Sequence, residues 1–88
     1  MTWEDVSFVA RSKNRKLVLE ALSKPKSPKT PTQLSNELSL NLGYISNILI
    51  ELIDRKLIEC LTPNEKRYRL YRLTNRGKDV LKKLGEID

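Results

Sequence analysis

Residues 30–57 read TPTQLSNELSLNLGYISNILIELIDRKL, and the fold depends on how this stretch divides. Thr30 can cap a helix whose first position is Pro31, where a missing N–H costs nothing. Gln33 follows three residues after Thr30 and completes a capping-box pattern. Leu34 and Leu38 repeat at i and i+4 and give one apolar stripe. Ser39-Leu40-Asn41 breaks this helix, and Asn41 can cap a second one. Counted at about 100° per residue, Ile45, Ile48, Leu49 and Leu52 share one face of that second helix. Gly43, Tyr44, Ser46 and Asn47 fall away from it. The isoleucines at 45, 48, 50 and 53 also raise the question of a strand. Some fourteen residues without a turn signal decide for a helix, because strands usually run about four to eight. A short helix, a tight turn and a longer helix with a polar, uncharged start is the layout of a helix-turn-helix.

Downstream, Arg55 and Lys56 complement the dipole at the end of the second helix, although a left-handed cap there would lack the favoured Gly. Leu57–Leu61 reads as a strand, Thr62–Lys66 as a turn and Tyr68–Leu73 as the returning strand. The two faces of YRLYRL are mixed, so alternation does not say which side is buried. Thr74 can cap a last helix from Asn75 to about Leu84, with Val80, Leu81 and Leu84 apolar.

Upstream, Thr2-x-x-Asp5 is a weak capping-box pattern, followed by Val6, Val9 and Ala10 at helical spacing. Trp3 and Phe8 lie at the edge of that stripe and are expected to pack on the subunit's body or on a second copy. Ser12 can cap a helix over Lys13–Ser23 that buries Leu17, Val18, Ala21 and Leu22. Arg11, Lys13, Arg15 and Lys16 crowd its start, where the macrodipole disfavours cations. Residues 23–30 form a connection, because Pro25 and Pro28 cannot continue a helix. The stretch around Lys29 can pair as an edge strand. The lysines of this connection suit phosphate contacts before a helix N-terminus, and equally an ordinary exposed loop.

The bulk numbers narrow the function classes. With 88 residues the chain supports one domain. One Cys and no His exclude an internal disulfide and remove the usual zinc ligands. No segment approaches the roughly 18 apolar residues of a membrane span, and Glu4 and Asp5 stand where a secretory signal would be basic. A cytoplasmic location is expected. Residues 55–83 hold ten Lys/Arg against three Asp/Glu, whereas residues 1–54 hold seven against six. Charge gathered in one region is the footprint of a polyanion partner, although a solvated basic face has the same composition.

A helix-turn-helix followed directly by a hairpin and a closing helix resembles a winged-helix domain, and in detail it is similar to the small MarR/ArsR-like regulators common in archaea. The resemblance rests on PTQLSNEL at Pro31–Leu38, YISNILIEL at Tyr44–Leu52, RKLIE at Arg55–Glu59 and RLYRLTNRG at Arg69–Gly77. It implies a mainly α fold with a small β-hairpin (α+β), a winged helix-turn-helix. The expected division of residues 1–88 is an N-terminal helix over 1–11, the helix-turn-helix over 31–56, the wing hairpin over 57–73 and a C-terminal helix over 74–88. The resemblance makes Leu42–Arg55 the recognition helix and Pro63–Arg67 the wing tip. The family often has Gly where Lys56 stands. Its metal-sensing branch uses Cys and His ligands, and Cys60 alone does not meet that need; on a strand it reads as a small buried hydrophobe. No metal or other cofactor is expected.

The expected partner is double-stranded DNA. Asn47 can bond adenine N6 and N7, Ser46 several bases, and Ile50 a thymine methyl. Tyr44 can reach a base edge or a phosphate, and Gly43 permits close approach. Lys66, Arg67 and Arg69 suit phosphate or minor-groove contact, and Lys29, Thr30 and Thr32 suit the backbone near the first helix. No Arg or Lys occurs between Leu42 and Asp54, so guanine readout by this helix is weak. Glu51 and Asp54 would repel phosphates if they faced the duplex; Glu51 is also spaced for a surface pair with Arg55. Asn47 and Ser46 are equally compatible with solvated helix positions, and Ile50 and Ile53 with packing on another helix. Without a His base, a nucleophile–base pair or a phosphate-binding glycine loop, an enzyme is not expected. The expected function is a transcriptional regulator acting as a homodimer through the N- and C-terminal helices. The rival is a winged-helix protein-interaction module. RNA binding is less favoured, because no aromatic stacking platform is evident.

Overall fold

Both reciprocal bonds of the capping box form: the Gln33 N–H donates to Thr30 Oγ1 at 3.2 Å and the Thr30 N–H to Gln33 Oε1 at 2.8 Å. They open the third helix of a computed structural model that describes residues 3–24 and 27–87. The order is α1 (Trp3–Ala10), α2 (Lys13–Leu22), α3 (Pro31–Leu38), α4 (Leu42–Asp54), β1 (Ile58–Cys60), β2 (Tyr71–Leu73) and α5 (Asn75–Ile87). Thr2, the expected cap of α1, and Pro25 lie outside the described residues. Between α3 and α4, Ser39 turns the chain at φ 55°, and Asn41 Oδ1 accepts from the N–H groups of Gly43 and Tyr44. This is the turn that the Ser39-Leu40-Asn41 break predicts. No helix among the described residues is long and apolar enough to cross a membrane.

One contiguous core joins the helices. Ile45, Ile48, Leu49 and Leu52 are buried together with Leu34, Leu57, Ile58, Val80 and Leu84. The α4 face is therefore the one its periodicity predicts. In α2 the buried set is Val18, Leu19, Ala21 and Leu22, with Leu17 only half-buried. The apolar face of α2 is thus rotated slightly from the predicted one, because Leu19 turns inward. Val6 and Val9 enter the core from α1, and Ala10 stays exposed.

The strands pair antiparallel, with Ile58 opposite Leu73, Glu59 opposite Arg72 and Cys60 opposite Tyr71. Lys29 extends this ladder as a one-residue edge: its N–H donates to the Tyr71 carbonyl, and the Tyr71 N–H donates back. The expected edge pairing of that stretch is therefore present. The strands are shorter than the sequence predicts, and the returning strand begins at Tyr71, not Tyr68. Tyr68 adopts φ 57°, which ends extended pairing and leaves residues 61–70 as the wing loop. Two bonds continue beyond the strands, from the Leu61 N–H to the Leu70 carbonyl at 2.8 Å and from the Leu70 N–H to Thr62 Oγ1 at 3.0 Å.

The end of α4 is a left-handed cap. Lys56 has φ 62°, its N–H donates to the Ile53 carbonyl, and the Leu57 N–H reaches back to Leu52. This two-bond pattern is the Schellman motif, whose left-handed residue is usually Gly. A side chain there is strained by about 1–2 kcal/mol. Lys56→Gly is therefore expected to stabilise the fold by about 1 kcal/mol, which a urea unfolding midpoint measures. An unchanged or lower midpoint would show that the Lys56 side chain compensates the strain.

Just beyond this cap, Thr74 starts α5. Its hydroxyl donates to the Lys56 carbonyl at 2.7 Å and accepts from the Gly77 N–H at 3.1 Å. The helix then runs to Ile87, past the predicted end near Leu84. Gly77 lies so close to Leu57 that a Cβ there would sit 2.1 Å from its carbonyl oxygen.

A polar clasp fixes α1. The Asp5 carboxylate is 2% exposed and lies 2.7 Å from Arg76 and 3.5 Å from Arg55. The Phe8 ring has the guanidinium groups of Arg15 and Arg55 at 3.8 and 4.0 Å from its centroid. Arg15 also donates to the Phe8 carbonyl and to Glu51, at 2.9 and 2.6 Å. The surface pair expected between Glu51 and Arg55 is replaced by these longer-range contacts. Arg15, at the crowded cationic start of α2, ties α1 to α4.

Candidate nucleic-acid interface

The helix caps aim the polar start of α4 outward, and the hairpin raises the wing beside it. Between them lies an open groove of about 1010 Å³, walled by the start of α3, the outer face of α4 and residues 66–71. Thr30 and Thr32 line one edge, Ser46 and Ile50 the floor, and Lys66, Arg67 and Arg69 the far side. Gly43, Tyr44 and Asn47 lie outside this lining but are exposed on the same helix. The structure thus gathers most of the sequence-selected residues along a continuous front of α3, α4 and wing.

Lys29 is the exception. Its bridge to Tyr71 draws it inward, where it is 3% exposed and its Nζ lies 2.6 Å from Glu37. That ammonium is shielded and engaged, unlike the open phosphate-binding cation expected from the sequence. The edge pairing and the phosphate contact were competing uses of the same residue, and the pairing prevails here. In the capping box Thr30 donates its backbone N–H and accepts through its hydroxyl oxygen, which leaves the O–H to donate elsewhere, and the Thr32 side chain is exposed.

The charge pattern along the front is uneven. The exposed face of α4 carries no cation, and Glu51 is held by Arg15 on the side facing α2. Asp54 stays exposed, at the far end of the helix. Lys66, Arg67 and Arg69 are exposed on the wing. A hydrogen bond to the Cys60 side chain is the main cause of a raised Arg69 pKa, and the guanidinium, like that of any arginine, is charged. Burial pushes the Tyr71 hydroxyl above its ordinary pKa against the opposing charge of Arg69, which keeps it neutral. Cys60 itself is half-buried.

Two residues that sequence reasoning passed over belong to this front. Asn14 donates through Nδ2 to the Tyr44 hydroxyl at 3.1 Å, drawing that ring toward the start of α2. The signal available in sequence was a polar residue inside the cationic cluster at 11–16, but nothing local pairs it with Tyr44. Tyr68 is the other, at 83% exposure on the wing side of the groove. The sequence pattern places it in a strand, which hides it.

This arrangement of helix-turn-helix, hairpin and closing helix defines a winged-helix protein. Residues 11–88 match the winged helix-turn-helix family model, and the chain belongs to that family. Among solved structures it is similar to a MarR family transcription regulator, with 32% identity over 86% of this chain and 50% of that one, at a TM-score of 0.76. The reduced form of MarR from E. coli is 27% identical over 96% of this chain and 62% of its own, at a TM-score of 0.77. An S. aureus MepR mutant bound to an oligodeoxyribonucleotide shares the fold at a TM-score of 0.79, with 19% identity over 96% and 62% of the two chains. The chain spans 50 to 62% of the length of these structures. No match was found to a curated protein sequence.

Proposed function

We propose that residues 1–88 act as one double-stranded DNA-binding unit of a transcriptional regulator, with α4 in the major groove and the wing on the backbone or in the minor groove. The observation that carries this reading is the groove: an uncharged, exposed helix face set beside exposed cations on the wing. A recognition helix brings its N-terminal residues closest to base edges. Asn47 and Ser46 supply the hydrogen bonds, Ile50 an apolar contact for thymine, and Gly43 room for close approach. The Tyr44 oxygen accepts from Asn14, so its O–H remains to donate to a phosphate. Lys66, Arg67 and Arg69 hold the duplex without reading it. The division of labour explains how a helix lacking cations can serve: the helix selects and the wing supplies affinity. The MarR-type likenesses support the same reading at the level of fold and regulator class.

The unit acts as a homodimer through α1 and α5. Supporting this are the packing of α1 on α5 and the exposure of Trp3, 66% on α1. Two copies would place their α4 helices about 34–36 Å apart on a pseudo-palindromic site. Sedimentation at micromolar concentration that shows only monomer removes this part.

Asn47→Ala is expected to cost about 1–3 kcal/mol on the preferred site and to leave non-specific binding nearly unchanged. Arg67→Ala should weaken every sequence alike and lower the salt slope by about one phosphate contact. Equal losses for Asn47→Ala on selected and random duplexes would count against base readout. Selection from a pool of random duplexes provides the site.

A second reading is favoured by one observation: Leu42 and Ile50 are 47% and 58% exposed on the same helix. Such an apolar front suits docking to a protein groove in a larger transcription or replication assembly. Titrating salt against random duplex DNA separates the two. A steep fall in affinity between about 50 and 200 mM salt supports DNA, and no binding at low salt supports docking.

A further inference from the structure

Tyr68 places an exposed aromatic ring at a position where the turn needs a left-handed backbone but not a tyrosine. It is the most exposed of the large apolar side chains among the described residues, and its backbone lies in the left-handed region at φ 57°. A bulky residue at positive φ is an outlier, and strain of this kind gathers at ligand-contacting positions. Asn or Gly would have met the turn's geometry without strain or an exposed ring. Neither its ring nor its hydroxyl has a hydrogen-bond or cation–π partner among the described residues, so no internal contact offsets the cost. Arg67 and Arg69 flank it, Lys66 stands nearby, and all four side the groove that faces Ile50. An aromatic ring carried out from the wing between cations is therefore placed to meet a polyanion that also offers stacked, flat apolar surfaces.

We propose that Tyr68 is an aromatic wedge of the wing: its ring enters the minor groove and partly unstacks a flexible base step beside the site read by α4. This rests on the DNA reading above and adds a specificity element to it. Apolar side chains inserted from the minor groove act in this way, separating adjacent base pairs and bending the duplex. Pyrimidine–purine steps, TA above all, unstack most easily. Arginine alone prefers the opposite surface, the narrow, stiff groove of an A-tract. A wing whose Lys66, Arg67 and Arg69 only hold phosphates would show no preference for TA steps, whereas a wing with a working wedge favours them.

The experiment compares two short duplexes at low salt, one of alternating T and A and one an A-tract, each with 2-aminopurine in place of one adenine. The protein is expected to bind the alternating duplex more tightly, and its 2-aminopurine fluorescence should rise as that base unstacks. Tyr68→Ala should lose about tenfold in affinity on the alternating duplex, with A-tract binding nearly unchanged and the fluorescence rise gone. Tyr68→Phe should keep both the preference and the fluorescence. Tyr68→Gly, which also relieves the backbone, should melt no lower than the parent protein and still lose the fluorescence signal. Unchanged affinity and fluorescence in Tyr68→Ala overturns the wedge. So does an equal loss in Tyr68→Phe, which would assign the contact to the hydroxyl. Binding of both duplexes by the parent protein without any fluorescence rise overturns the wedge alone, and binding of neither overturns the DNA reading with it.

Discussion

Gly77→Ala is expected to destabilise the protein by about 3 kcal/mol or more, seen as a lower urea midpoint with little change in slope. The added Cβ would lie 2.1 Å from the Leu57 carbonyl oxygen and 3.1 Å from the carbonyl carbon. Both are backbone atoms, so no side chain can swing aside. The Leu57 carbonyl already accepts from the Thr74 N–H at 3.1 Å, and Thr74 bonds Lys56, so α5 and the turn after α4 are locked at this point. Alanine ordinarily gains about 1 kcal/mol over glycine inside a helix. Here the clash reverses that sign. Gly85→Ala in the same helix is the control, because nothing lies within 4 Å of its Cβ position. It should be neutral or stabilising by up to about 1 kcal/mol. If both variants behave alike, the close approach of α5 to Leu57 is not a constraint on the fold.

The second large effect is an asymmetry within the α1 clasp. Arg76→Ala is expected to cost about 2–4 kcal/mol, more than Asp5→Ala, although the two variants break the same ion pair. Asp5 is 2% exposed, whereas Arg76 and Arg55 are 40% and 36% exposed. Removing Arg76 leaves a buried carboxylate whose one remaining ion pair among the described residues is the 3.5 Å contact to Arg55. Removing Asp5 instead returns two partly solvated arginines to water, which is a far smaller loss. The double variant should therefore be more stable than Arg76→Ala alone. Unfolding curves for the three variants measure the cycle, and additive losses would mean that the buried carboxylate is not the source of the cost.

Much of the fold was legible because its signals were local. Thr30 with Gln33, and Asn41 before Gly43, are caps whose partners lie within three residues, and both form. The buried stripe of α4 follows from the helical repeat alone. The failures share a different cause. Glu51 and Arg55 are correctly spaced for a surface pair, yet Arg15 takes Glu51 from 36 residues away and Asp5 takes Arg55 from 50. No local pattern carries such information. The same holds for Lys29, whose exposure depended on whether Tyr71 would pair with it, and for the Asn14 contact that positions Tyr44. Strand length failed at YRLYRL because the alternation is real only over Tyr71–Leu73, where Arg72 points outward to Glu59. Of the candidate interface, position along α4 was readable, since burial of one helix face defines the other. The wing was readable as a charge run but not as a shape, because its shape depends on the left-handed residue at 68.

The pairing of Lys29 with Tyr71 has a mechanical consequence. It braces the root of the wing against the segment leading into α3, so that the hairpin is anchored on both sides of Tyr71. Beyond the Leu61–Leu70 bond and the bond from the Leu70 N–H to Thr62 Oγ1, the backbone–backbone bonding described for residues 63–69 is the turn bond from the Glu65 N–H to the Thr62 carbonyl. The wing is in effect a cantilever: stiff at its base, compliant at its tip. On the proposed DNA reading, such a beam would follow duplexes of differing groove width without transmitting the bending to α4, leaving the helix in one register while the tip adjusts.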